Sequence, residues 1–533
     1  MDRLKDMYEL IEYLEEHKEK IAFRYLEDNQ MVEVTYLKFI EDVKNLAEYL
    51  IENKRNLKHI ALIGEVKYEW FVSFYGIIYA GGVVVPIDRQ LALTDIKRLI
   101  DKAECTGIIY NSKSNREVAS YFCEASLCIP FLSGKEEISI RQIINHKSGK
   151  TYINRPQNSN EEMMAAIIFT SGTTGKNKGV IMTHKNLISG LYVCYYMNGN
   201  SFERTIPVLP PNHMYEISAG IQTALFIGAT ICIGKGTKYL SQSIQVFKPS
   251  VLILVPMIVE MFHSKIWREA RKQGKEKSLR RLISLSQYLL KIHIDVRKFI
   301  FKNIRNNFGG ELQTIICGGA PITEQLIEDF RAFGIEVMNG YGVTECAPVI
   351  ASNTRKYFKP GTVGITIPEF CEAKISINGE IIVSGPSVSP GYYNDPEENK
   401  KSYCEGWFKT GDLGYFDDEG YLFLTGRIKN LIILDNGENV SPEELEEIIK
   451  ENPLVKEVLV HTVKNKMHNL LAATIFMDST YIDEEGIQTP KKSIEDYIES
   501  INVGLPAYKR IQKVLIQNSE LEKTSTGKIK RQK

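Results

Sequence analysis

The chain has 533 residues, too many for one hydrophobic core, so at least two domains are expected. It is 43% hydrophobic and 25% charged, with 66 basic and 66 acidic side chains, so it has the composition of a globular protein without a global field. A net charge of zero argues against a nucleic-acid partner, because neutralising phosphate dominates such binding.

The N-terminus mixes acids and bases with Leu and Ile, which excludes a secretory signal, and no stretch approaches the uncharged length of a membrane span. Nine scattered cysteines with no CxxC pair suit reduced thiols rather than a disulfide framework or zinc site. A cytoplasmic location is expected.

Along the chain, Leu37 to Glu52 has helical spacing, His59 to Gly64 reads as a strand and Tyr68 to Ala80 as a helix. Val83 to Pro86 and Thr106 to Tyr110 add strands. This alternation indicates βαβ units and a mainly parallel sheet. Strand patterns recur at Ile206 to Leu209, Thr230 to Ile233, Val251 to Val255 and Thr314 to Cys317, which suggests a second sheet layer. A long helical stretch is expected over Val259 to Phe308.

From Gly361 to Leu424 the turns Asn378-Gly379, Asp395-Pro396 and Glu419-Gly420 separate brief β-rich runs, as in antiparallel or barrel-like structure. After Gly426 a small α+β unit is expected, with strands at Ile432 to Leu434, Val455 to His461, Leu471 to Met477 and Val514 to Gln517. Its first helix, Pro442 to Lys450, has Ser441 as N-cap and Pro442 at N1.

The chemistry concentrates after the apolar run Ala165 to Phe169. There Thr170-Ser171-Gly172-Thr173-Thr174-Gly175-Lys176-Asn177-Lys178-Gly179 combines three glycines, four hydroxyls and two lysines. Such a loop turns backbone N–H groups around an anion and adds positive charge, although a solvated hairpin has a similar composition. The GxxxxGK[ST] spacing of a Walker loop is absent.

The run resembles the phosphate-loop signature of the adenylate-forming superfamily of acyl-CoA synthetases, luciferases and adenylation domains, with Asn177 where Pro is usual. Further segments match in the family's order. Asn339-Gly340-Tyr341-Gly342-Val343-Thr344-Glu345 resembles the adenine and magnesium segment. The resemblance implies that Tyr341 stacks on adenine, Thr344 contacts the α-phosphate and Glu345 is the Mg²⁺ ligand. Gly318-Gly319-Ala320-Pro321 resembles the turn beneath adenine and the acyl group, where small residues allow close approach.

Thr410-Gly411-Asp412 is similar to the ribose station, and Gly426-Arg427-Ile428-Lys429 to the domain junction, with Arg427 reaching ribose or phosphate and Lys429 at the hinge. Thr524-Ser525-Thr526-Gly527-Lys528 resembles the terminal loop that carries the mobile catalytic lysine, Lys528. Gly437, after the hinge, is a place for the backbone to approach a pantetheine arm, or a plain hairpin glycine. Leu209-Pro210-Pro211-Asn212-His213-Met214-Tyr215-Glu216 resembles the segment that carries a His near the acyl carboxylate and then lines the acyl pocket.

Element pattern and resemblance together imply an α/β protein. Residues 1–428 are expected to form a large N-terminal domain of stacked mixed sheets with flanking helices plus a β-barrel-like subdomain. Residues 429–533 are expected to form a small mobile α+β C-terminal domain.

The implied activity uses ATP and Mg²⁺ to convert a carboxylic acid to acyl-AMP with pyrophosphate release, then transfers the acyl group to coenzyme A. The extra helical sequence before Gly318 and Gly64 to Trp70 look most like the long-chain fatty acid branch. The alternative is loading of an aryl or fatty acid onto a separate carrier-protein pantetheine, since no fused carrier domain is expected after Lys533. The strongly basic segment 265–305 fits a solvated face, or contact with anionic membrane or the CoA 3′-phosphate.

Overall fold

The structure is a computed structural model; it describes residues 3–53, 58–111, 116–120, 127–132, 138–145, 160–170, 177–198, 203–434, 438–465, 468–523, 529 and 531. Two large sheets form the first architectural layer pair. One runs, in spatial order, Leu127–Pro130, Gly107–Tyr110, His59–Ile63, Val83–Ile87, Met164–Thr170 and Lys178–Thr183. It is parallel except for its last pair, a hairpin in which Thr170 lies opposite Lys178. Helix Tyr68–Tyr79 is buried along its whole length, as a continuous apolar run demands.

The other sheet has nine described strands, in the order Ile365–Thr366, Val349–Ser352, Glu336–Gly342, Thr314–Cys317, Val251–Leu254, Arg204–Thr205, Thr230–Ile233, Ile21–Glu27 and Gln30–Thr35. Its central strands are parallel, so their carboxyl ends share one edge, where ligands of open α/β sheets bind. A five-stranded antiparallel sheet covers the β-rich region expected between Gly361 and Leu424.

Beyond Asn430, helix Pro442–Lys450 packs with the sheet Val455–Asn465, His468–Met477 and Lys513–Gln517. Val440, Leu445, Ile449, Val458, Ile475 and Ile494 form a hydrophobic cluster separate from those of the large sheets.

Four expectations need correction. The strand expected at Ile206 to Leu209 ends at Thr205; Ile206, Val208 and Leu209 are buried, but they lie beyond the ladder. The expected helical stretch is broken into Pro256–Lys272, Glu276–Lys291, Arg297–Ile300 and Lys302–Asn307, with Gly274 and His293 at positive φ in the breaks. Asp395-Pro396 begins a helix, because the Asp395 carboxylate caps the N–H of Glu398. Ser441 precedes its helix as expected, yet its hydroxyl donates to Glu443 at 3.3 Å instead of capping backbone.

Candidate active site

The strand Glu336–Gly342 carries Asn339, Gly340, Tyr341 and Gly342 to the carboxyl edge of the large sheet, and the single 3-10 turn Thr344–Cys346 follows. Gly342 is required by contact: a Cβ there would lie 1.9 Å from the carbonyl oxygen of Pro348. Gly319, at the end of the adjacent strand, has φ +83 and is exposed, as is Ala320. Asn339 faces inward, its amide donating to the Thr362 carbonyl at 3.2 Å.

Two side-chain groups meet at this edge. In the first, Asp412 is only 4% exposed and accepts from the Tyr341 hydroxyl at 2.8 Å and from Arg427 Nε at 2.7 Å. Asp412 and Arg427 lie opposite one another on the antiparallel strands Trp407–Phe416 and Leu422–Arg427, which explains how a TGD and a GR dipeptide fifteen positions apart converge. Burial, then the Asp412 charge, pushes the Tyr341 phenol well above its ordinary range, so it remains a donor. Each Asp412 oxygen retains a second lone pair for a ligand hydroxyl.

In the second group, Glu345 accepts from the Tyr392 hydroxyl at 2.7 Å. Lys178, just after the phosphate loop, lies 4.9 Å above the Tyr392 ring and pairs with Glu398. Burial raises the Glu345 carboxyl, while Tyr392 and the Lys178 charge oppose the shift and Asp412 adds to it. Lys178 holds Glu398 below its ordinary range. Glu345 and Asp412 thus share one field, with two cations beside them.

A single carboxylate such as Glu345 fits Mg²⁺, which is commonly held by one or two carboxylates plus substrate phosphates and water.

The third element is the segment from Pro210. His213 is half-buried, its N–H donating to the Pro210 carbonyl at 3.1 Å. Tyr215 reaches the Ile316 carbonyl at 3.1 Å, and its ring end would lie 3.2 Å from a Cβ at Gly318. Glu216, fully buried, opens a π-helical turn, Glu216–Gln222. One of its oxygens accepts from Leu209 N–H at 2.9 Å and the other has no hydrogen-bond partner among the described residues. Burial pushes its carboxyl up to about 8.

The structure therefore brings Lys178, Tyr341, Glu345, Asp412 and Arg427 toward one edge. Thr170 borders the phosphate loop through its register with Lys178. Ser171, Gly172, Thr173, Thr174, Gly175, Gly437 and Lys528 lie outside the described residues. Sequence reasoning missed Tyr392 and Glu398, which no local spacing marks; Glu216 fell within the expected acyl-pocket segment, but its burial and its bond to Leu209 were not readable from it.

Residues 11–393 match the family described as AMP-binding enzyme, and residues 429–533 match its AMP-binding enzyme C-terminal domain. The chain belongs to the AMP-binding enzyme family. As a member of the adenylate-forming superfamily, it is similar to a long-chain-fatty-acid–CoA ligase of Mycobacterium bovis, 26% identical over 485 residues, 85% of this chain and 79% of that one. It is also similar to a 2-succinylbenzoate–CoA ligase of Listeria monocytogenes, 26% identical over 510 residues, 94% of each. Its fold matches the o-succinylbenzoate CoA synthetase of Bacillus subtilis in complex with its acyl-adenylate intermediate, with TM-score 0.75, 22% identity and coverage of 98% and 96%. Among the described residues of this AMP-binding enzyme, no helix is long and apolar enough to cross a membrane.

Proposed function

We propose that the protein is an AMP-forming acid–CoA ligase whose acid is a medium- or long-chain fatty acid. The observation that carries the adenylation reading is the buried Asp412, held by Tyr341 and Arg427 beside Glu345 at the carboxyl edge of the parallel strands. This constellation suits a nucleotide laid across the edge, with the ribose hydroxyls donating to Asp412 and the adenine against Tyr341. Thr344 and Lys178 then face the phosphates.

In the first half-reaction a carboxylate oxygen attacks the α-phosphorus, the bond to the β-phosphate oxygen breaks and pyrophosphate leaves. When bound, Mg²⁺ supplies positive charge on the phosphate oxygens. Lys178 must exchange Glu398 for phosphate, which keeps its charge masked until nucleotide arrives. Lys528 adds charge from the C-terminal unit, which we place at 429–533 with Lys429 as its hinge. In the second half-reaction the thiol of coenzyme A attacks the acyl carbon, AMP leaves, and Gly437 makes room for the pantetheine arm.

The choice of acid rests on the segment Leu209 to Ile227, which contains no Lys or Arg. Its one acid, Glu216, is predominantly neutral at pH 7. A wall of this kind suits an apolar chain better than an acid with a second carboxylate, which would need a cation. Similarity to the Mycobacterium bovis enzyme supports the same choice, whereas the Listeria relative, matched over more of its length, favours an aryl acid.

Pyrophosphate release and CoA thioester formation with octanoate, palmitate, benzoate and 2-succinylbenzoate separate the readings. Affinity should rise by roughly 0.8 kcal/mol, about fourfold, per added CH₂ until the pocket is filled. Preference for 2-succinylbenzoate or benzoate overturns the fatty-acid assignment, and release of orthophosphate in place of pyrophosphate overturns the adenylation chemistry.

A further inference from the structure

The strands Thr314–Cys317 and Glu336–Gly342 lead to the candidate site at their carboxyl ends; their amino ends open on a second feature. A cleft of about 670 Å³ lies there, lined by Arg297, Lys298, Lys302, Arg305, Arg331 and Arg355. Its carboxylates are Asp295, Glu311 and Glu336, so six cations face three acids. Two of the acids are already engaged: Arg297 pairs with Asp295 at 2.9 Å and Glu336 at 3.3 Å, and Arg331 pairs with Glu336 at 3.2 Å.

Arg305 is the anomaly. It is 7% exposed, and its guanidinium donates only to the carbonyls of Gly334 at 2.6 Å and Gly310 at 3.5 Å. No ion pair to Arg305 forms among the described residues. Burial, then the neighbouring Arg297 charge, lowers its affinity for its proton, and Glu311 and Asp295 offset this only in part. A buried cation in a cleft where cations outnumber acids six to three is costly, and an added anion would relieve it.

Exposed apolar residues neighbour the lining of the cleft along the chain. Past helix Glu276–Lys291 the chain turns at His293, in the left-handed region, with Ile292 and Ile294 half-exposed on either side of it and Asp295 of the cleft next in sequence. Phe299 is 85% exposed, next to Lys298. Single exposed apolar residues are ordinary, but Ile294 and Phe299 are the immediate chain neighbours of Asp295 and Lys298, which line a cationic cleft. The earlier part of the basic segment behaves differently: Arg271 and Arg280 pair with Glu276, and Arg280 stacks on Trp267 at 4.7 Å. Those bases form the solvated face.

We infer that the cleft and its apolar rim form a docking site for the phosphate headgroup of an anionic phospholipid, with Phe299, Ile294 and Ile292 entering the interface. A soluble phosphate ester would use the cations and leave the rim without a role, whereas a membrane surface uses both. The nucleotide edge lies at the far ends of the same strands, roughly 20 Å away for the seven residues of Glu336–Gly342. Docking there leaves that edge free. This inference does not depend on which acid the enzyme activates.

Co-sedimentation of the full chain with phosphatidylcholine vesicles, with and without phosphatidylglycerol, tests it. Binding should require phosphatidylglycerol. The surface variant Lys298→Gln/Lys302→Gln should bind roughly 30-fold more weakly, at about tenfold per two-thirds of the loss expected from two lysines at an anionic surface. Phe299→Ser should lose roughly tenfold. Pyrophosphate release without vesicles should be unchanged in both variants, which also shows that they are folded. Failure of the wild-type chain to sediment with phosphatidylglycerol, or undiminished binding by the lysine variant, overturns the site. Tight binding of soluble glycerol phosphate that depends on the lysines but not on Phe299 reassigns the cleft to a soluble ester and overturns the lipid reading.

Discussion

Replacing Tyr392 by Phe removes one hydroxyl and tests whether Glu345 works as an ionised ligand. The hydroxyl donates to Glu345 Oε1 at 2.7 Å; the ring, which stays, faces Lys178 at 4.9 Å, and the backbone N–H still donates to Asn399 at 2.6 Å. A hydrogen bond to a charged acceptor contributes about 1.5–3 kcal/mol. Glu345 is only partly shielded from solvent, so the lower end applies, or about tenfold. The sign follows from the balance at Glu345. Burial already raises its carboxyl and Tyr392 opposes that shift, so Tyr392→Phe raises it further and lets protons compete better with metal. Pyrophosphate release measured against Mg²⁺ at several pH values should show an increased Mg²⁺ requirement, largest on the acid side and fading as pH rises. An equal loss at every pH and at saturating Mg²⁺ would refute the reasoning, because it would place the hydroxyl's role in packing or substrate contact.

Asp412→Asn keeps the shape of the ribose station but removes its charge, weakening two ligand hydrogen bonds; KM for ATP should rise about 10²-fold. Wild-type enzyme should discriminate against 2′-deoxy-ATP and the variant much less, and retained discrimination contradicts the assignment. Glu216 carries a folded pKa of about 8 against an ordinary 4.5, so between these values the unfolded chain releases a proton that the folded chain keeps. Its contribution to stability is therefore complete below about 4.5 and declines by roughly 1.4 kcal/mol per pH unit up to about 8. Thermal scans should show Glu216→Gln gaining on wild type across that window, and parallel pH profiles would exclude the shift. Lys528→Ala should slow acyl-AMP formation by about 10²-fold while preformed acyl-AMP and CoA still give thioester. Gly437→Trp should do the reverse, and equal damage to both steps by both variants would rule out two working orientations.

The parts of the site visible in the sequence are those fixed by short-range constraint. Gly342 is glycine because Pro348 leaves no room for a Cβ, and the helix at Pro442 starts where Pro and two acids favour a first turn. Asp412 and Arg427 could be placed by motif order, although their direct pairing depends on strand register. Tyr392 was invisible for a different reason: it reaches Glu345 across 47 positions, and a Gly-Tyr-Tyr run carries no mark of where its rings point.

The shortened strand at Arg204–Thr205 shows what periodicity leaves out. Ile206 to Leu209 is apolar because it is buried, and burial alone does not supply a ladder partner. The N–H of Leu209 is satisfied instead by the Glu216 carboxyl seven positions on. That bond closes a loop around Pro210, Pro211 and His213 beyond the end of the strand. Gly220 is part of the same arrangement, since a Cβ there would lie 2.3 Å from the unpartnered Glu216 oxygen. Pro207, which has no N–H to give a ladder, stands just past the last paired residue, and the buried Glu216 carboxyl then holds the turn that carries Tyr215 to Gly318.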